Sequence, residues 1–553
     1  MNNDIVELDI TGSGAEMEGV ARLDGMAVFV PGALPGERVR ARIVKRAPRF
    51  ANAELVEVLA PSPERTQPAC PMAGRCGGCS LMHMTYQATL NLKAQHIRDC
   101  LERIGGARGV FTAMHGMDSP WGYRNRAQFP VGGSAGAPRV GFYCEGTHEV
   151  VDLPKGCMLV DPRINAARAA FAAWLRESGL APYDGRTRRG LVRHAVFRVS
   201  RAGALMAIIV VNGSRLPGHE ALWQRLERVG CVSLVLNELT DAPGSRRNTE
   251  IFGRRFVRLC GADTYVDEIL GCRFELSAPS FFQINPLMTD RLYALAAEYA
   301  ALRDGEVLLD AYCGAGTIGL TLMHLSRARH GRLIGIESVP EAIENARRNA
   351  ELNGAGDARF ICGRCEDELG RLTERGLCPD VAVIDPPRKG CDAALMEALG
   401  ELGRRSLGRI VYISCNPATL ARDIGRLREW GWEPTHAEGV DMFGWTSHVE
   451  TVMLLSKLSD AKHIDIHVDM NELDVTPAES QTAATYDDIK AYVREHSGLT
   501  VSTLYIAQVK RKYGIIEREC YNKAKSEDAK QPQCPADKER AIAEALRFYG
   551  MIA

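Results

Sequence analysis

Residues 411–423 read VYISCNPATLARD. An apolar run stops at Cys415, and Asn416-Pro417 stands before a helical pattern. A thiol at a strand's end, where the backbone opens toward a cleft, raises the question of whether it does chemistry. The plainer reading is a small packed hydrophobe. Upstream, VAVIDPPRKG (381–390) ends a strand on Asp385 and follows it with two prolines. Each proline fixes its own φ and biases its predecessor away from helix, so the carboxylate is held rigidly. VLLDAYCGAGTIGLTL (307–322) sets Gly314, Gly316 and Gly319 directly after another strand as G-x-G-x-x-G, and Glu337 ends the next strand. That pattern suits a dinucleotide or the adenosine of S-adenosylmethionine, with the acid on the ribose. Enzymes that methylate exocyclic amino groups place an aromatic after the Asp-Pro-Pro turn to stack the base. Arg388 stands there, which disfavours that chemistry.

A second cluster is ACPMAGRCGGCSLMH (69–83), which spaces Cys70, Cys76 and Cys79 as C-x5-C-x2-C. Glycines between them let the backbone wrap closely and turn its amides toward sulfur. Cys157, in LPKGCMLVD, supplies a fourth thiol. Four thiolates suit tetrahedral zinc or an iron–sulfur cluster. Zinc ribbons usually carry two C-x2-C knuckles. The single knuckle, wide gap and distant fourth cysteine favour a [4Fe–4S] cluster, although spacing alone leaves both open.

The elements that must position these residues come next. A chain of 553 residues with 46% apolar and 25% charged residues is an ordinary globular protein of about three or four domains. The net charge of −1 gives no global basic signature, so a nucleic-acid surface has to come from local clustering. No apolar stretch approaches the roughly 18 residues that span a bilayer, and MNNDIVELDI lacks the basic start and apolar core of a signal peptide. Seventeen cysteines without an export signal point to reduced thiols, a metal site or catalysis rather than a disulfide scaffold, and to a cytoplasmic protein. Residues 1–60 alternate short apolar runs with Gly and Pro, as a small antiparallel barrel does. Within them Arg38, Arg40 and Arg42 share a strand face with no acid between them, which suits a phosphate-facing strip or a charged, solvated edge. Residues 61–275 mix strands and helices, and 276–457 alternate them in a doubly wound α/β order. A linker (458–484) leads to a helical extension (485–553). Ile489, Tyr492 and Val493 fall at helical spacing there, Ser502 is a candidate N-cap, and Lys510, Arg511 and Lys512 close the second helix. Such a unit suits an accessory RNA-binding module or a docking domain.

Taken together and in order, the basic barrel, the C-x5-C-x2-C loop, SFFQINP, DAYCGAGTIGL, DPPRKG, SCNPATLARD and HVETV resemble the RNA uracil-C5 methyltransferase family over residues 1 to about 457. The resemblance is to the iron–sulfur-containing 23S ribosomal RNA type, whose N-terminal barrel is a TRAM domain. The tail beyond 457 departs from its shortest members. The resemblance implies an α/β multidomain fold: a TRAM/OB-like barrel, a central α+β iron–sulfur domain, a Rossmann-like methyltransferase domain and the helical extension. It implies S-adenosylmethionine and a [4Fe–4S] cluster on Cys70, Cys76, Cys79 and Cys157 as cofactors. Cys415 becomes the nucleophile that adds to uracil C6, and Glu450 the base that removes the C5 proton. Gln283, Tyr312, Glu337 and Asp385 contact the cofactor. Phe281 stacks on the flipped base, an ordinary core aromatic being the other reading. The expected partner is structured RNA, 23S ribosomal RNA first and transfer RNA as the alternative, met by a monomer with no membrane. A non-catalytic RNA-binding or assembly factor leaves Cys415, Asp385 and Glu450 without purpose. A nicotinamide oxidoreductase leaves DPPRKG and Cys415 unexplained.

Overall fold

Apolar residues at every second position fold the first sixty residues into a six-stranded sheet around Leu8, Val28, Val39, Ala41 and Ile43. The computed structural model describes residues 4–241, 250–326, 328, 330–457, 486–513, 534–549 and 551–552, in two compact units, 1–461 and 462–553. The expected linker 458–484 lies outside the described residues. No described helix is long and apolar enough to cross a membrane.

The strand Arg38–Arg46 does carry Arg38, Arg40 and Arg42 on one face. Neighbouring strands, however, bring a carboxylate to each. Arg38 meets Glu7 at 3.0 Å, Arg40 meets Glu57 at 2.7 Å, and Arg42 meets Glu54 at 3.2 Å. The strip is therefore internally neutralised by acids 12 to 31 residues away in sequence.

The middle region centres on a seven-stranded mixed sheet. Its strand Leu205–Val211, LMAIIVV, is buried at every position, as a strand covered on both faces must be. One face packs on the helices Pro162–Ser178 and His219–Glu227. The other meets the hairpin of Thr264–Ile269 and Cys272–Ser277.

An eight-stranded sheet follows, in spatial order Arg359–Cys362, Arg332–Glu337, Val307–Ala311, Val381–Ile384, Arg409–Ser414, Glu450–Lys457, Trp432–Val440 and Phe111–His115. The first five strands are parallel, and Glu450–Lys457 runs antiparallel to both neighbours. The order reverses between Val307–Ala311 and Val381–Ile384, where ligands of open α/β sheets bind, at the carboxyl ends. The outermost strand, Phe111–His115, comes from the middle region, and the helix Tyr86–Arg103 packs beside it against Pro417–Glu429. The middle region and the last sheet are thus joined by a shared strand rather than strung as beads.

That junction is fastened by a buried ion pair. Lys93 and Asp441, both side chains fully buried, meet at 2.5 Å, and Lys93 Nζ also donates to the Phe443 carbonyl at 3.1 Å. Tyr86 donates its hydroxyl to the other Asp441 oxygen at 2.6 Å and accepts from the Met117 N–H at 3.0 Å. The pair ties the helix to the loop 441–449 that leads into Glu450.

In the second unit, Ile489, Val493, Ile506, Val509, Ile542 and Leu546 form a small core between three helices, Tyr486–Ser497, Thr503–Lys512 and Ala536–Phe548. Ser502 caps the second helix, its Oγ accepting from the Tyr505 N–H at 3.4 Å. The basic end is not an open patch: Lys510 is buried and Lys512 pairs with Glu539.

Removing one partner of a buried pair strands the other charge, at a cost of about 3–5 kcal/mol, whereas replacing both with apolar residues is often nearly neutral. Lys93→Met should therefore lower the urea midpoint strongly, and Lys93→Met with Asp441→Leu should recover most of the loss. Equal losses in the single and double variants would show that the two side chains are not coupled.

Candidate active site

The parallel strands end together, and their next residues share one edge. The ladders pair Ala311 with Ile336 and with Ile384, so Tyr312, Glu337 and Asp385 each stand one residue past the last row those two ladders match. Cys415 follows Ser414 in the same way. Asn416 then caps the helix Pro417–Glu429, its Oδ1 accepting from the Ala418 N–H at 3.0 Å. Ser414 Oγ accepts from the Asn416 N–H at 3.1 Å, so the thiol sits on a turn braced on both sides. Between Arg409–Ser414 and Glu450–Lys457, Ser414 lies opposite Thr451. One step further along that antiparallel register, Cys415 faces Glu450.

The electrostatics of this corner are unusual. Burial, then the charges of Glu450 and Asp385, push the Cys415 thiol up to about 11, with Arg388 acting against them. Glu450 is 6% exposed, and burial first and Asp385 second push its carboxyl well above the usual range, again against Arg388. Burial alone lifts Asp385 to about 7. Three acidic groups share the corner and Arg388 is the cation that acts on both Cys415 and Glu450. The partly exposed thiol is thus protonated in the free protein rather than preformed as a thiolate.

The glycine loop continues the same edge. Gly319 is required: a Cβ there would stand 2.7 Å from both Asp310 Oδ2 and Leu333 Cδ1. Close packing therefore brings the helix Thr317–Leu325 onto the strands. Glu337 Oε2 accepts from the Gly314 N–H at 3.3 Å, and Oε1 accepts from the Val339 N–H at 2.9 Å. Tyr312 holds a left-handed φ of 68°, uncommon for an aromatic residue, and donates its hydroxyl to Glu366 at 2.9 Å. Gln283 is buried, its carbonyl accepting from Asn125 Nδ2 at 3.1 Å. In the same turn Phe282 enters the core while Phe281 is 64% exposed, which removes the core reading of Phe281.

The four cysteines also meet. Cys70, Cys76, Cys79 and Cys157 line one cavity of about 80 Å³ together with Arg124. The Gly78 N–H turns toward the Cys76 sulfur. Asn165 clamps the Cys157 turn, accepting from its N–H and donating to its carbonyl, both at 2.9 Å. Burial pushes Cys79 up to about 12 and raises Cys76 and Cys157, while Arg124 opposes each shift. Among the described residues no three His, Cys, Asp or Glu side chains are grouped so as to hold a metal ion.

The cysteine loop touches the corner indirectly. Ser80 and Leu81 both donate their N–H to the Trp445 carbonyl at 3.1 Å, and Trp445 carries a φ of 65°. Its ring packs on Trp121 and Tyr86, and its indole N–H donates to the Pro120 carbonyl at 3.2 Å. Sequence reasoning missed Lys93, Asp441 and Trp445, because one lysine in an amphipathic helix and a Gly-Trp pair in a loop carry no local signal. Arg388 is visible beside the two prolines, where it disfavours amino-group methylation, but its action on Cys415 and Glu450 needs the fold.

The sequence profile of the tRNA (uracil-5-)-methyltransferase family matches residues 257–458, and that of the TRAM domain matches 1–56. A protein named an uncharacterized RNA methyltransferase in Caldanaerobacter subterraneus subsp. tengcongensis is 41% identical over 458 residues, 82% of this chain and 98% of that one. A likewise named protein of Clostridium acetobutylicum is 37% identical over 467 residues, 83% of this chain and 98% of its own. The crystal structure of Pyrococcus abyssi tRNA (uracil-54, C5)-methyltransferase with S-adenosyl-L-homocysteine superposes with a TM-score of 0.63 at 25% identity, covering 81% of this chain and all of that one.

The raised thiol gives a direct test. Site-resolved mass spectrometry should find Cys415 alkylation by iodoacetamide rising with pH to a midpoint near 11, above that of an ordinary thiol. Glu450→Gln removes a negative neighbour, which lowers the thiol's pKa, so labelling at pH 9 should become several-fold faster. A wild-type midpoint below 8 would mean the corner is already electropositive.

Proposed function

The chain belongs to the S-adenosylmethionine-dependent RNA uracil-C5 methyltransferases, and we propose that it methylates uracil C5 in structured RNA through a covalent adduct on Cys415. The observation that carries this reading is the register that sets Cys415 against Glu450 at the carboxyl edge of the sheet. Uracil C5 is a poor nucleophile until something adds to C6. The Cys415 thiol gives up its proton to solvent, Sγ bonds to C6, the ring's electrons move toward the C4 oxygen, and C5 becomes nucleophilic. When bound, S-adenosylmethionine supplies the methyl group that C5 accepts. Glu337 and Asp385 offer carboxylates along the edge that would hold that cofactor, with Tyr312 and Gln283 beside them. Glu450 then takes the proton from C5, the C5–C6 double bond re-forms, and Sγ leaves with its electron pair. Exposed Phe281 offers a face on which a base turned out of its stack can rest. The same burial that gives Glu450 its affinity for a proton suits it to this abstraction.

The four thiols hold a [4Fe–4S] cluster in this reading. Four cysteines on one cavity beside Arg124, three from a single Gly-rich loop and one from a distant turn, support this reading. Its distance in sequence from Cys415 gives it a folding or RNA-positioning role. We take 23S ribosomal RNA as the substrate, on the barrel and four-cysteine organisation that the ribosomal members share in the resemblance. Methylation of uracil 54 in tRNA, the activity named for the Pyrococcus abyssi protein, is the alternative. Mapping 5-methyluridine in both RNA classes from cells lacking the gene separates them.

Cys415→Ala should bind RNA yet form neither product nor adduct. Glu450→Gln should accumulate a covalent, already methylated protein–RNA complex on a denaturing gel, since the C5 proton stays. A 5-fluorouridine adduct that persists in Cys415→Ala would assign the nucleophile elsewhere. Protein purified without oxygen should be brown and hold about four iron and four sulfide per chain. Colourless protein with one zinc would overturn the cluster.

A further inference from the structure

The parallel strands have a second end, roughly 15 Å from the catalytic edge for five residues rising about 3.3 Å each. A cleft of about 380 Å³ opens there, lined by Arg332, Arg359 and Arg375 over an apolar floor that includes Ile334 and Ile361. Arg332 begins its strand, and Arg359 begins the strand at the sheet's outer border, with Ile334 paired to Arg359. The period of two therefore sets Arg332, Ile334, Arg359 and Ile361 on one face. Arg375 closes the cleft from the end of the helix Cys365–Glu374. All three arginines are exposed, and none forms an ion pair among the described residues. On the barrel, by contrast, Arg38, Arg40 and Arg42 each meet a carboxylate.

Three like charges converging without a counter-ion repel one another, and an anion that bridges them relieves the repulsion. Guanidinium forks match phosphate oxygens in pairs, and RNA, the proposed substrate, carries one phosphodiester anion per nucleotide. We propose that this cleft binds the phosphodiester backbone of the RNA substrate at a point remote from the target uridine. The proposal rests on RNA as substrate and deepens it. The cleft lies at the end of the sheet opposite Cys415, so only a folded or long RNA that passes round the border strand Arg359–Cys362 engages both. Nucleotides next to the target cannot reach it. The cleft thus selects RNA by size and shape rather than by the sequence around the uridine, because phosphate contacts position without reading bases.

The test compares the wild type with a variant carrying Arg332→Gln, Arg359→Gln and Arg375→Gln, and with the matching triple lysine variant. Filter binding over a range of potassium chloride is run on bulk ribosomal RNA and on a uridine-containing trinucleotide single strand. Each phosphate contact contributes roughly 0.7–0.9 to the slope of log affinity against log salt. The glutamine variant should lose about 2–3 from that slope on ribosomal RNA and nothing on the short strand. The lysine variant should keep the wild-type slope. S-adenosylhomocysteine affinity, unchanged in all three, confirms an intact fold. An unchanged slope on ribosomal RNA overturns the proposal, and so does an equal loss on both RNAs. Loss of inorganic pyrophosphate binding with the RNA slope intact overturns it in favour of a small-anion site. Absence of 5-methyluridine in wild-type reactions would instead defeat the catalytic reading and leave the binding result standing.

Discussion

The antiparallel register between Arg409–Ser414 and Glu450–Lys457 is the constraint on which the chemistry hangs, because it alone brings Cys415 and Glu450 together across more than thirty residues. A slip of one residue would turn every side chain of the second strand to the other face and carry Glu450 away from the thiol. Two devices hold the register. Both strands are buried almost throughout, so a slip would expose apolar side chains. The loop before Glu450 is also tied down by Asp441 on Lys93 and Tyr86, and by the Trp445 carbonyl on the cysteine loop.

This fixing has an electrostatic consequence. Cys415, Glu450 and Asp385 are all held above their ordinary values, chiefly by burial. For the two carboxyls the sign follows directly. The folded state binds more protons than the unfolded one, so their contribution to stability falls as pH rises from the unfolded carboxylate range through the folded values. The corner is therefore least comfortable where the thiolate and the carboxylate are needed. Stored strain of this kind is common at active sites, where neighbouring structure over-determines it, and the left-handed backbones of Tyr312 and Trp445 belong with it.

The distribution of arginine makes a related point. Composition gave no basic signature, and the barrel strip that looked basic along the chain is matched by acids from adjacent strands. Surface pairs of that kind contribute about 0–1 kcal/mol each, so they remain exchangeable for phosphate. A cluster of unmatched charge lies at the far end of the last sheet, where Arg332 and Arg359 sit more than twenty residues apart in sequence.

Much of this was legible in the order of residues alone. Strand–glycine–helix, Asp-Pro-Pro and Ser-Cys-Asn-Pro are local patterns, and local sterics and capping decide their shape, so the α/β order, the strand-end placement of Asp385 and Cys415 and the Ser502 cap could be read directly. The four cysteines could be named, because three lie within ten residues. What tertiary structure decided were the meetings between distant segments. Sequence could not show that acids at 7, 54 and 57 neutralise Arg38, Arg40 and Arg42, since an ion pair across a ladder leaves no local trace. Nor could it show that Phe281 faces solvent while Phe282 is buried, because the turn that separates them has no period. The strand Phe111–His115 joins a sheet otherwise built from residues after 306, and Lys93 finds Asp441 across 348 positions. Such pairings are decided by which buried charges and strand edges must be satisfied once the chain has collapsed, and that is a property of the whole fold.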